Sequence, residues 1–192
     1  MFDFVKKLLF ARQFKMERGE LDLLGNRVIM FPAWVFIYIL KTSPNFKEIS
    51  YRLYEGAKKS TKDSFTKLLS EKYGLKRDKL IEWMKNVGEL GGWGTFEIKN
   101  IDFKKCEAVI YVKNSPMGKL YGKSKFPVDH IARGMFAGAA CVIFNNDDCE
   151  YVETKCVAMG DTLCEFICRT RKDLKKMKNP LIKWQIGSKL KK

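Results

Sequence analysis

The chain has 192 residues, 46% of them apolar and 13% aromatic, and its 37 Lys+Arg against 22 Asp+Glu give a formal charge of +15. So much apolar surface excludes a disordered chain, because its burial offsets chain entropy, and the length suits one ordinary domain, 1–192, with a real core. The longest apolar run, Val28–Leu40, is interrupted by Pro32 and falls short of the roughly 20 residues of a membrane-spanning helix, so no membrane span is expected.

At the start, Phe4, Val5, Leu8, Leu9, Phe10 and Phe14 share one face of a predicted helix. Lys6, Lys7 and Arg12 interrupt that segment and no small-residue cleavage site follows, so it does not read as a secretory signal and a cytoplasmic location is expected. Glu20–Leu24 and Arg27–Phe31 read as a hairpin turning at Gly25-Asn26. Pro32 opens a helix through Lys41, which Ser43-Pro44-Asn45 stops. Phe46–Tyr73 is a long amphipathic helix with Ile49, Leu53, Ala57, Phe65, Leu68 and Leu69 on its apolar stripe, ended by Gly74. Lys76–Leu90 is a further helix.

The period then changes. Thr95–Asp102 and Cys106–Lys113 alternate as strands, Asn114–Ser124 reads as a loop, Pro127–Phe144 as a helix rich in small residues, and Glu150–Met159 with Thr162–Thr170 as a hairpin across Gly160-Asp161. The fold class is therefore α+β: a helical layer over 1–90 packs on a mainly antiparallel sheet with β-β-α-β-β order over 91–170. Residues 169–192 hold ten Lys/Arg and one Asp, which is nine of the fifteen net charges. A clustered basic tail, 171–192, is suited to nucleic acid or an anionic surface. It lacks the aromatic-plus-glycine signature of the common RNA modules, so a solvated lysine-rich helix is the expectation.

Six cysteines in a reducing compartment read as metal ligands before disulfides. Cys156 and Cys164 flank the Gly160-Asp161 turn, Glu153 lies three residues before Cys156, and His130, the only histidine, opens the preceding helix. Together they supply N, O and two S, a set that suits a tetrahedral structural zinc. Two readings stand on the residues alone. Buried Cys also packs as a small hydrophobe, a single His is often a hydrogen-bonding partner, and in a regular strand positions 153 and 156 face opposite ways.

The stretch Asn114–Phe166 resembles the 4-vinyl-reductase-type domain, a hydrocarbon-binding module. The resemblance is carried by Phe126-Pro127-Val128-Asp129-His130, Gly134-Met135-Phe136-Ala137-Gly138, Glu150-Tyr151-Val152-Glu153-Thr154-Lys155-Cys156, Met159-Gly160-Asp161 and Cys164-Glu165-Phe166. The same domain forms the sensor part of phenol-responsive transcription activators and is related in fold to transport-particle subunits. In the phenol sensors a zinc is held by Cys, Glu and two further Cys; Glu153, Cys156 and Cys164 match the last three, and His130 stands where the first Cys would be. The resemblance thus implies a structural zinc on His130, Glu153, Cys156 and Cys164, and beside it an apolar pocket to which Tyr151 belongs. Trp93, Phe96, Tyr111 and Phe136 are further candidates by position in the sheet and crossover helix, against the plainer reading that they are ordinary core aromatics.

A family name built on reductase does not carry the activity over. The chain has no GxGxxG after a strand, no CxxCH and no phosphate loop, and its one histidine is assigned to the metal. The expected function is a binding module, a sensor or carrier for an apolar or aromatic small molecule, working as a homodimer. The alternatives are a reductase or accessory enzyme of tetrapyrrole chemistry, and a scaffold with a permanently bound lipid.

Overall fold

The computed structural model describes residues 3, 6, 8, 9 and 12–187, and the chain forms two compact units, residues 1–32 and 33–192. The first contains an antiparallel meander of β1 (Phe14–Glu17), β2 (Glu20–Leu23) and β3 (Asn26–Val28). Its turns are the pairs Arg18-Gly19 and Leu24-Gly25, both residues of each in the left-handed region, as the tightest hairpins require. The second turn therefore lies one residue earlier than the sequence suggests, where the Asp22 carboxylate accepts the Gly25 N–H at 2.8 Å. Strand β1 departs from the expectation: Phe14 opens it rather than closing a helix, while Phe4, Val5 and Phe10 of that predicted helix lie outside the described residues.

In the second unit, α1 (Ala33–Thr42) precedes α2 (Phe46–Ser60), which continues through a π-helical turn (Thr61–Thr66) into α3 (Lys67–Tyr73); α4 (Arg77–Leu90) follows. Asn45 caps α2 by accepting the Glu48 N–H at 3.1 Å, and Gly74 ends α3 in the left-handed conformation. Strands β4 (Thr95–Asp102), β5 (Glu107–Lys113), β6 (Cys149–Lys155) and β7 (Cys164–Thr170) form one antiparallel sheet in the order β4-β5-β7-β6. Between β5 and β6 run α5 (Pro116–Tyr121) and the crossover helix α6 (His130–Ile143). The predicted loop 114–124 thus contains a helix. Ser115 accepts the Gly118 N–H at 3.0 Å and Pro116 occupies the first turn, a start signal strong enough to outweigh Gly118 and Gly122.

Helix α6 carries the core. Its Ala132, Phe136, Ala137 and Ala140 pack among the inward residues of the sheet, including Phe96, Ile110, Tyr151 and Phe166. Its other side lies backbone to backbone against α2: a Cβ on Gly134 would meet the Tyr54 carbonyl oxygen at 2.3 Å, and one on Gly138 the Lys58 carbonyl oxygen at 2.3 Å. The π-helical turn begins directly beside Gly138.

The basic C-terminal stretch differs from the solvated helix expected of it. Two short helices, α7 (Arg171–Lys176) and α8 (Pro180–Ile186), bury Leu174 and Ile182 against Val152 of β6. Single apolar residues among many lysines suffice to seat each helix. Arg171 also pairs with the buried Glu150 at 3.0 Å, and Glu150 receives Lys58 at 3.1 Å and the Tyr54 hydroxyl.

Gly138→Ala is expected to lower stability by about 1–3 kcal/mol despite the better helix propensity of alanine, because the obstructing atom is main chain and cannot rotate away. Denaturant unfolding of the variant measures this, and unchanged or raised stability would mean that α2 and α6 are free to separate.

Candidate metal centre and aromatic core

The loop before α6 delivers Asp129 into the space between β6 and β7. There Asp129, Glu153, Cys156 and Cys164 place ligand atoms within 4.8 Å of one another, all four residues buried. The strand-parity problem at positions 153 and 156 is solved by irregularity. The β6–β7 register shifts between Glu153 and Lys155, and the chain then leaves the strand for a 3-10 turn (Val157–Met159) that brings Cys156 back inward. The Cys156 N–H donates to the Asp161 carboxylate at 2.8 Å, and Gly160, at φ 101°, closes the turn. Helix α5 sits close over the site, with the ideal Cβ of Gly118 only 3.3 Å from Cys164 Sγ.

The carboxylates are held rather than free. Ser115 Oγ donates to Asp129 Oδ1 and Oδ2, 2.8 Å from each, and Cys164 Sγ lies 3.2 Å from Asp129 Oδ2. The Asp129 N–H donates to Glu153 Oε2 at 3.1 Å, whereas Glu153 Oε1 is buried with no partner. From the far side Gln185 of α8 clasps the Glu153 backbone, accepting its N–H at 2.9 Å and donating to its carbonyl at 2.8 Å. Burial raises the Glu153 carboxyl well above the usual range, with Asp129 and Cys156 adding to it, and burial likewise raises Asp129. The two thiols split: the hydrogen bond between them pulls Cys156 down and pushes Cys164 up. Two carboxyls and two thiols in a dry site cannot all be ionised unaided; a dication among them removes that penalty. An orphaned carboxylate oxygen and a donor set of two oxygens and two sulfurs fit a tetrahedral borderline ion such as Zn2+.

Three of the four ligands expected from sequence, Glu153, Cys156 and Cys164, are thus brought together, and Asp129 takes the remaining place in the cluster. His130, next in the chain, is buried but turns its ring to Phe46 and Trp184, with centroids at 5.8 and 6.0 Å, and neither ring nitrogen has a partner. Burial lowers its pKa well below the usual imidazole value. The signal that could have found Asp129 is that it is the one carboxylate between Glu107 and Asp147. Cys149 lies outside this set.

Beside the cluster stands an aromatic group centred on Phe136. Its ring meets Phe96 and Phe166 edge-on, both at 5.1 Å, and Tyr151 at 5.7 Å. Of the other residues singled out from sequence, Trp93 is half-buried against the same core. Tyr111 is only half-buried, where Lys99 lies over its ring at 5.5 Å, because odd positions of β5 face away from α6. Phe166, absent from the sequence-based set, is fully buried and was signalled by the alternation Cys164, Phe166, Cys168. Among the described residues no helix is long and apolar enough to cross a membrane.

Residues 108–170 match the family model of the vinyl-4-reductase (4VR) domain. No curated protein matches the sequence. Among solved structures, the phenol-responsive sensory domain of the transcription activator PoxR, solved with phenol, aligns over 98% of both chains with a TM-score of 0.71 at 14% identity. A trafficking protein particle complex subunit 3 from Naegleria fowleri, covalently bound to palmitic acid, aligns over 72% of this chain and 89% of its own with a TM-score of 0.52 at 16% identity. A vinyl-4-reductase family protein from Methanocaldococcus jannaschii covers 74% of this chain and 83% of its own, with a TM-score of 0.47 at 22% identity. At these identities the likeness is one of fold.

Replacing Cys164 with Ser is expected to lower the melting temperature by several degrees and to reduce zinc bound by the purified chain. Full zinc content with an unchanged melting temperature would remove Cys164 from the donor set. In the same assay Asp129→Asn and His130→Ala reveal which of the two neighbours completes the site: the variant that loses zinc had the ligand.

Proposed function

We propose that this chain, whose residues 108–170 match the vinyl-4-reductase domain model, is a small-molecule-binding module that takes an apolar or aromatic ligand against the Phe136 cluster. The observation that carries this reading is the alternation along β6 and β7. Tyr151 and Glu153 lie on one face of β6, Phe166 and Cys164 on the same face of β7, and Glu153 pairs with Phe166 in the register. The aromatic group and the donor cluster therefore share two strands, and a change in how Tyr151 and Phe166 pack is transmitted directly to the metal-binding hairpin. That coupling suits a sensor better than a passive carrier. The phenol-responsive domain that aligns with the whole chain supports the same choice of ligand class.

The metal in this reading is structural Zn2+, held by Glu153, Cys156 and Cys164 with a fourth donor from the Asp129–His130 pair. It supplies no chemistry beyond a cross-link. It ties the start of α6 to the β6–β7 hairpin and compensates for apolar contacts that a ligand-accepting interior gives up. The domain works in a cytoplasmic setting as a homodimer through its helical layer, where α1 leaves Trp34, Val35, Tyr38 and Ile39 exposed. The basic residues of α7 are in part committed to the protein itself, as the Arg171–Glu150 pair illustrates, so nucleic acid is a poor candidate partner.

Calorimetric titration with phenol as the probe, run on zinc-loaded protein, is expected to show saturable binding that Tyr151→Ala weakens at least about tenfold, equivalent to about 1.4 kcal/mol, while zinc content stays unchanged. No binding by the wild type across phenol and larger alkylphenols, or loss of zinc together with binding in Tyr151→Ala, would overturn the ligand site. Sedimentation at increasing concentration tests the dimer: Trp34→Glu is expected to shift a dimer to monomer, and a wild type that stays monomeric removes the pairing.

A further inference from the structure

Four cysteines are left over from the candidate metal centre, and the fold gathers all four at the other end of the same strands. Cys149 opens β6, Cys168 lies near the end of β7, Cys106 ends the turn between β4 and β5, and Cys141 comes from the last turn of α6; all four are buried free thiols. The Cys149 thiol hydrogen-bonds with those of Cys168 and Cys106. Cys141 Sγ approaches the Cys149 carbonyl oxygen at 3.7 Å, and Asn146 Nδ2 lies 3.5 Å from Cys106 Sγ. Cys106 holds its place with a left-handed backbone, φ 56°, uncommon for a residue with a side chain.

The register decides what these thiols are suited to. Cys149 pairs with Thr170 and Cys168 with Tyr151, so the two cysteines are diagonal neighbours across β6 and β7. Diagonal positions are roughly 7–8 Å apart, whereas a disulfide joins Cα atoms no more than about 6.8 Å apart. On the other side Cys168 pairs with Ala108, which leaves Cys106 two residues away and again off the direct pair. A metal ion tolerates such spacing because it stands between the sulfurs, with each bond about 2.3 Å long. Four sulfurs and no carboxylate make a soft donor set. The Lys58 ammonium, which donates to the Cys149 carbonyl oxygen at 2.9 Å, adds positive charge where a tetrathiolate would carry excess negative charge.

We propose that Cys106, Cys141, Cys149 and Cys168 form a second metal site, for a thiophilic closed-shell cation such as Zn2+, distinct from the Glu153–Cys156–Cys164 site. The six cysteines then divide two and four between the sites, with Tyr151 and Phe166 lying between them along β6 and β7. The second ion ties the C-terminal end of α6 to β5, β6 and β7, as the first ties its N-terminal end. The aromatic cluster is thereby clamped from both ends. The assignment does not depend on the ligand proposed above.

Native mass spectrometry of the full chain titrated with Zn2+ alone is expected to give two tightly held ions. The double variant Cys149→Ser/Cys168→Ser keeps one, Cys164→Ser keeps the other, and combining all three substitutions leaves none. Replacing zinc with Co2+ gives an independent reading on unmutated protein. Saturation at two equivalents, with the larger share of the thiolate-to-metal charge-transfer absorption arising from the four-sulfur site, supports the proposal even if the double variant does not fold. A wild type that saturates at one equivalent overturns it, as does a folded double variant that retains two.

Discussion

The two-residue period of β6 and β7 is the constraint on which the rest of this structure depends. It sends Cys149, Tyr151 and Glu153 from one strand, and Cys164, Phe166 and Cys168 from the other, to the single face covered by α6. Thiols, aromatic rings and a carboxylate are thereby ordered along one buried surface. A slip of one residue in this register would turn all six outward and put Val152 and Ile167 in their place. The register is kept by the irregular step after Glu153 and by the apolar contact of Val152 with α7 and α8 on the opposite face.

Burying this face needs a cover that comes very close, and α6 supplies it with small residues. Gly134 and Gly138 let its backbone touch that of α2, so the crossover helix is held between the long helix and the sheet. Tight seating on both sides is what makes the buried polar groups tolerable. Glu150 is satisfied by Lys58, Arg171 and Tyr54, and these outweigh the effect of burial and hold its carboxyl below the usual range. Glu153 lacks such compensation: one oxygen is orphaned and burial drives its carboxyl the other way. The contrast between two carboxylates three residues apart on one strand separates a structural ion pair from a group that awaits a cation.

Much of this could be read from the chain. The long helix with its terminal glycine, the change of period after Gly94, the crossover helix and the final hairpin all stand where hydrophobic spacing placed them. The donors Glu153, Cys156 and Cys164 were legible through their spacing and their resemblance to a known domain. Three features were not. Strand β1 is too short to outweigh the helical spacing of the residues before it. Helix α5 is marked only by its Ser-Pro start. The packed C-terminal helices hide single apolar residues in a basic run.

What the sequence by itself determined is which residues must be inside and with what period, because burial of apolar side chains sets those patterns locally. It thereby specified the fold class, the inward aromatic and cysteine positions and three of the clustered donors. Only the tertiary structure decided which polar groups meet. It chose Asp129 over its neighbour His130 for the donor cluster, placed Tyr111 away from the aromatic group, and gathered Cys106 and Cys141 beside Cys149 and Cys168. The physical reason is that such meetings depend on a strand irregularity, a helix-to-helix distance and a rotamer. These are set by packing among segments distant in the chain, and no local pattern of residues encodes them.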